Sequence, residues 1–179
     1  MSNELYAPIS SSVPASTICE MAQEARQQTD GVGLRVGKKA EFTLIAPLTA
    51  GGAAKFRQRA EKLQKEAAYW EGRLGTVHDL RVALIGESHI LFAATYSDDF
   101  KPYVLDVIKF ATPWIDHMFV DIADGFPGLA SPDALDYIQK HQIEANVWYA
   151  SNPDLTVRDI GKAANVSRIF NELLDAAQG

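Results

Sequence analysis

His78, Asp79 and Arg81 fall within one four-residue stretch that brings together an imidazole, a carboxylate and a guanidinium. An imidazole titrates near neutrality, so His78 is a candidate general acid or base. A guanidinium is a permanent cation with a planar fork of donors, which suits Arg81 to orienting a carboxylate or enolate oxygen. The plainer alternatives are a strand-edge histidine bonded to backbone and an arginine paired with a carboxylate at an interface.

What these side chains can do depends on the face they occupy. Four segments read as strands: Glu41–Leu48, Leu80–Ile85, Ile90–Tyr96 and Ala145–Ala150. Alternation sorts each onto two faces. One face carries Phe42, Leu44, Ala46, Leu80, Val82, Leu84, Ile90, Phe92, Ala94, Tyr96, Val147 and Tyr149, and is bulky enough to pack on helices. The other carries Thr43, Ile45, Arg81, Ala83, Ile85, Leu91, Ala93, Thr95, Asn146, Trp148 and Ala150. That second set is too apolar for a solvated sheet face, so a second subunit is the expected cover. Small residues at Ala83, Ala93 and Ala150 leave room, and Arg81, Thr43, Thr95, Asn146 and Trp148 point into it. An apolar wall with few polar groups is what a small-molecule site needs. The expected site is therefore His78 and Arg81 for chemistry, with Thr43, Thr95, Tyr96, Asn146 and Trp148 for binding.

The other chemistry-bearing groups are less concentrated. His117, Asp121 and Asp124 stand at i, i+4 and i+7, one face of a continuous helix, where a divalent metal could sit. Ile115, Met118, Phe119 and Ile122 take the buried side, so the acidic set reads as solvated and no metal is assigned. Cys19 is the single cysteine, which excludes an intramolecular disulfide and a Cys-rich metal site. No G-x-S-x-G, H-E-x-x-H, P-loop or C-x-x-C motif occurs. Gly31, Gly33 and Gly37 are out of step with the dinucleotide fingerprint and read as loop.

The elements that must position the site follow from periodicity and punctuation. Residues 1–17, rich in Ser, Pro and Ala, read as an arm, followed by a short helix over Ile18–Gln28. Phe56, Ala60, Leu63, Ala67, Trp70 and Leu74 recur at spacings of four and three, a single stripe along a helix that Gly75 terminates. Gly86-Glu87-Ser88-His89 suits a hairpin turn. Helix runs from Pro102 to about Ala111, then restarts at Thr112-Pro113; a third begins near Ser131-Pro132 and ends near His141. Thr156 and Asp159 form a capping box that opens a last helix through Leu174. The order is an α+β, ferredoxin-like βαββαβ plan with an extra helix at each end, with 1–38 as arm and short helix and 39–179 as one domain.

Composition narrows the partners. At 179 residues, with 47% hydrophobic and 22% charged, the chain suits one ordinary core. A net charge of -6 argues against general nucleic-acid binding, and no apolar run approaches the length of a membrane span. The N-terminus lacks the pattern of a secretory signal, so the expected location is the cytoplasm.

Residues 75–108 carry Gly75, Thr76, His78, Arg81, Leu91, Phe92, Tyr96 and Asp98 in a pattern that resembles the central hairpin and helix of the dimeric α+β barrel superfamily, as found in bacterial members. With residues 41–74 and 143–150 the resemblance covers about two thirds of the chain. It implies a homodimer whose pocket lies between sheet and helices or inside the barrel. The superfamily includes cofactor-free monooxygenases, muconolactone-isomerase-like proteins, stress-responsive barrels and haem enzymes. No histidine follows His141, so a proximal haem ligand cannot be carried over and no cofactor is assigned. The expected function is binding of a small apolar or aromatic molecule, with oxidation or isomerisation as the chemistry. The alternatives are a non-catalytic assembly protein and, third, a haem binder.

Overall fold

The computed structural model describes residues 25–28 and 33–178. The arm, Cys19 and most of the helix expected at Ile18–Gln28 lie outside the described residues. Six strands form one antiparallel sheet: β1 (Arg26–Gln27), β2 (Leu34–Val36), β3 (Lys39–Pro47), β4 (Val77–Ile85), β5 (His89–Ser97) and β6 (Gln142–Ile143). The order is β1-β2-β3-β5-β4, and β6 pairs with β3 at Thr43 and Leu44. Four helices accompany it: α1 (Gly52–Leu74), α2 (Phe100–Phe119), α3 (Ala134–His141) and α4 (Val157–Gln178). The fold is α+β.

The centre is a nine-rung ladder between β3 and β5, from Lys39↔Ser97 to Pro47↔His89, extended by the β4–β5 hairpin. With register set, alternation delivers Phe42, Leu44, Ala46, Ile90, Phe92, Ala94 and Tyr96 to one buried face, as their spacing predicts. Phe42 is the hub of an aromatic cluster, 5.4 Å from Phe92 and 5.8 Å from Phe100, while Tyr96 stacks on Tyr103 at 4.1 Å. α1 and α2 close over this face, joined where the Trp114 indole donates to Leu63 O at 3.2 Å. α1 ends at Gly75, whose φ of 62° is left-handed and whose N–H reaches Glu71 O.

Four expectations need correction. Arg26–Gln27 and Leu34–Val36 are strands, not helix and loop, because the chain folds back at Gly33 (φ 73°) against β3. A Cβ at Gly33 would lie 1.7 Å from Glu41 O, so only glycine fits. α2 does not break at Thr112-Pro113; Pro113 stands on its exposed side, and Thr112 returns its hydroxyl to Ile108 O at 2.6 Å instead of capping a new helix. Ala145–Ala150 is not a strand. The last strand is only Gln142–Ile143, and beyond it Val147 is 90% and Tyr149 84% exposed. Finally, α2 ends at Phe119 and Asp121 turns with φ 64°, so His117, Asp121 and Asp124 do not share a helical face.

Burial separates these residues energetically. Phe42→Ala should cost about 3–5 kcal/mol in urea unfolding, and Val147→Ala should stay within about 0.5 kcal/mol. A large loss at Val147 would mean that the strand has been wrongly removed from the sheet.

Candidate functional site

The stripe on α1 that meets the sheet alternates large with small. Phe56, Leu63 and Leu74 are buried, but Ala60 and Ala67 are too short to fill the space between α1 and β4. A cavity of about 480 Å³ results. Its walls are Phe56, Leu63, Leu74, Val77, Leu80, Val82, Trp114 and Met118, and its polar groups are Gln64, Glu71, His78 and Asp79.

His78 reaches this place through an irregularity. Val77 pairs with Tyr96 and Asp79 with Thr95, so His78 is the extra residue of a β-bulge, a device that re-aims a side chain. Its Nε2 lies 3.0 Å from the Oγ of buried Ser97, which also accepts the Val157 N–H at 3.2 Å. With one proton and two lone pairs, the Ser97 hydroxyl can donate to Nε2, which makes Nδ1–H the donor of the ring, or accept from Nε2–H alongside the Val157 N–H. Burial holds the His78 imidazole below its ordinary value of 6.5; the nearby Lys39 ammonium reinforces this and Asp79 opposes it. A neutral His78 ring carries one donor and one acceptor, and in the tautomer with Nδ1–H it can bond a carbonyl or carboxylate oxygen.

Beside it, β3 and β5 bury a polar row on the sheet face away from α1. Lys39 donates to Ser151 O at 2.7 Å, and Glu41 accepts the Leu34 N–H at 2.9 Å and the Thr43 hydroxyl at 3.4 Å. Burial lowers the Lys39 ammonium and raises the Glu41 carboxyl, the latter partly offset by those two hydrogen bonds.

The expected site residues do not converge. Only His78 lines the cavity. Arg81 is exposed on the opposite face, 3.3 Å from Asp79, a solvated ion pair rather than a ligand clamp. Thr43 and Thr95 share that face, Thr95 buried opposite Glu41. Tyr96 lies on the other side, fully buried, with its hydroxyl bonded to Gln28. Asn146 and Trp148 sit in the irregular segment after β6 and are not on the sheet. Gln64, Glu71 and Ser97 were missed, although the alanines in the α1 stripe mark where space must open.

Among the described residues no group of three or more His, Cys, Asp or Glu is placed to hold a metal ion. Of the four histidines only His78 lines the cavity; His89, His117 and His141 do not. No helix among the described residues is long and apolar enough to cross a membrane. No family model, curated protein or solved structure matches the chain.

The His78 environment makes a pH prediction. Its folded pKa is depressed, so the unfolded chain binds the proton first. Its stabilising contribution is full above about 6.5 and is lost as pH falls through the lower folded value. Urea unfolding at pH 7.5 and 5 should show a smaller acid loss for His78→Gln than for the parent, His117 being common to both. Equal losses would contradict the assignment.

Proposed function

We propose that this protein is a homodimer that binds a small, largely apolar organic molecule in the cavity between α1 and β4. The observation that carries the reading is the half-open pocket of about 480 Å³ between α1 and β4, with an apolar floor and Gln64, Glu71, His78 and Asp79 among its lining, within the range of small-ligand sites. His78 donates through Nδ1 to an oxygen of the ligand, with Gln64 and Glu71 at the rim. A hydrogen bond from the neutral ring would polarise that oxygen and stabilise an enolate, the chemistry an isomerisation needs, while an oxidation would take dioxygen as the electron acceptor.

The dimer rests on the second sheet face. The strand order β6-β3-β5-β4, with α1 joining β3 to β4 and α2 and α3 lying between β5 and β6, favours the ferredoxin-like plan. Ile45, Arg81, Ala83, Ile85, Leu91 and Ala93 lie on its uncovered side, all exposed or half-buried. A second subunit as the cover of this face is what the resemblance of residues 75–108 to the dimeric α+β barrels implies.

Ligand binding is tested by thermal shift with 2-naphthoate, 1,4-naphthoquinone and a medium-chain fatty acid. At least one should raise Tm, Ala67→Phe should abolish the shift by filling the cavity, and His78→Ala should weaken binding of an oxygen-bearing ligand about tenfold. Arg81→Ala should change nothing. The reading fails if no compound shifts the parent, or if Ala67→Phe binds as well as the parent.

A further inference from the structure

α4 is a 22-residue helix with no buried residue. Ile160, Val166, Ile169, Phe170, Leu173 and Leu174, each 42–66% exposed, spread over one side of it. The opposite side is satisfied within the helix: Arg168 pairs with Glu172 at 2.6 Å and donates to Asn165 at 3.2 Å. An amphipathic helix of this kind has a partner.

We propose that α4 is an exchanged arm that seats its apolar side on the open sheet face of a second copy of this chain. The inference rests on the dimer in the reading above and is independent of the ligand. Three observations choose this occupant. First, the root of α4 is fixed at the end of the open face, through Val157 N–H to Ser97 Oγ, Lys38 N–H to Pro153 O at 2.9 Å, and Lys39 to Ser151 O. The capping box adds to this: the Thr156 hydroxyl donates to Asp159 Oδ2 at 2.8 Å and accepts the Asp159 N–H at 3.1 Å. With that root in place α4 leaves its own sheet uncovered, so the cover it provides is for another molecule.

Second, dimensions and shapes match. A 22-residue helix is about 33 Å long, and the nine-residue strands β4 and β5 are about 30 Å. Ala83 pairs with Leu91, and Ala93 lies between Arg81 and Thr43, so the face has two short positions beside Ile45, Ile85 and Leu91 where large side chains of α4 can seat. Third, the area is sufficient. Six half-exposed apolar side chains present roughly 600 Å² per helix; twofold reciprocity and the matching sheet surface bring the total into the ~1,200–2,000 Å² of a stable interface.

The test uses the full chain with Cys19→Ser throughout. Sedimentation of the parent at low micromolar concentration should give twice the 19.6 kDa chain mass. Phe170→Asp with Leu173→Asp should halve that mass without loss of helical circular dichroism. Ala83→Cys and Phe170→Cys chains, co-expressed and treated with a short bismaleimide, should give a mixed cross-linked dimer. A monomeric parent would overturn both this inference and the homodimer. A dimeric parent that links only Ala83→Cys to itself, or only Phe170→Cys to itself, would overturn the exchanged arm and leave the homodimer standing. A dimer that survives the double aspartate variant would do the same.

Discussion

Alternation along β3, β5 and β4 divides the molecule into a side that is finished and a side that is not. Nine consecutive rungs between β3 and β5 lock this division, because a slip of one residue would put Phe42 and Leu44 on the face opposite Phe92 and Tyr96. On the finished side, an aromatic cluster centred on Phe42 holds α2, and the Trp114–Leu63 hydrogen bond ties α1 to it. The other side keeps apolar and small residues without a helix of its own, and α4 buries none of its residues there.

The cavity is a consequence of the same packing. α1 must lie close enough to the sheet for Phe56 and Leu63 to be buried, and alanines at 60 and 67 then leave space over Leu80 and Val82. The bulge at His78 breaks strict alternation, so the imidazole joins Gln64, Glu71 and Asp79 in the lining of the cavity while staying tied to Ser97. Ser97 in turn holds the first backbone N–H of α4. A single hydroxyl thus joins the candidate site to the root of the projecting helix.

Much of this was legible in the residues. The α1 stripe, its stop at Gly75, the β4–β5 hairpin and the Thr156–Asp159 cap are local signals, and local physics decides them. The segment Ala145–Ala150 misled because β-branched and aromatic residues there mimic a strand, whereas whether they join a sheet depends on what lies beside them. Pro113 misled in the opposite direction, since a helix packed as firmly as α2 tolerates a proline on its exposed side. The site was half legible. Of the expected residues only His78 lines the candidate cavity, and Tyr96 and Arg81 have a parity that puts them on opposite faces. Asn146 and Trp148 fell with the lost strand. Asp79, read only as a neighbour of His78, turned out to hold Arg81 at the surface.

The uncovered face is the claim on which the quaternary picture turns, and thiol labelling reads it directly. In a Cys19→Ser background, Ala93→Cys places one thiol at the centre of that face. Its labelling rate should fall as protein concentration rises through the micromolar range, because a second molecule shields it. A rate independent of concentration would show that the face is never covered by another copy, and the account of the dimer would be wrong.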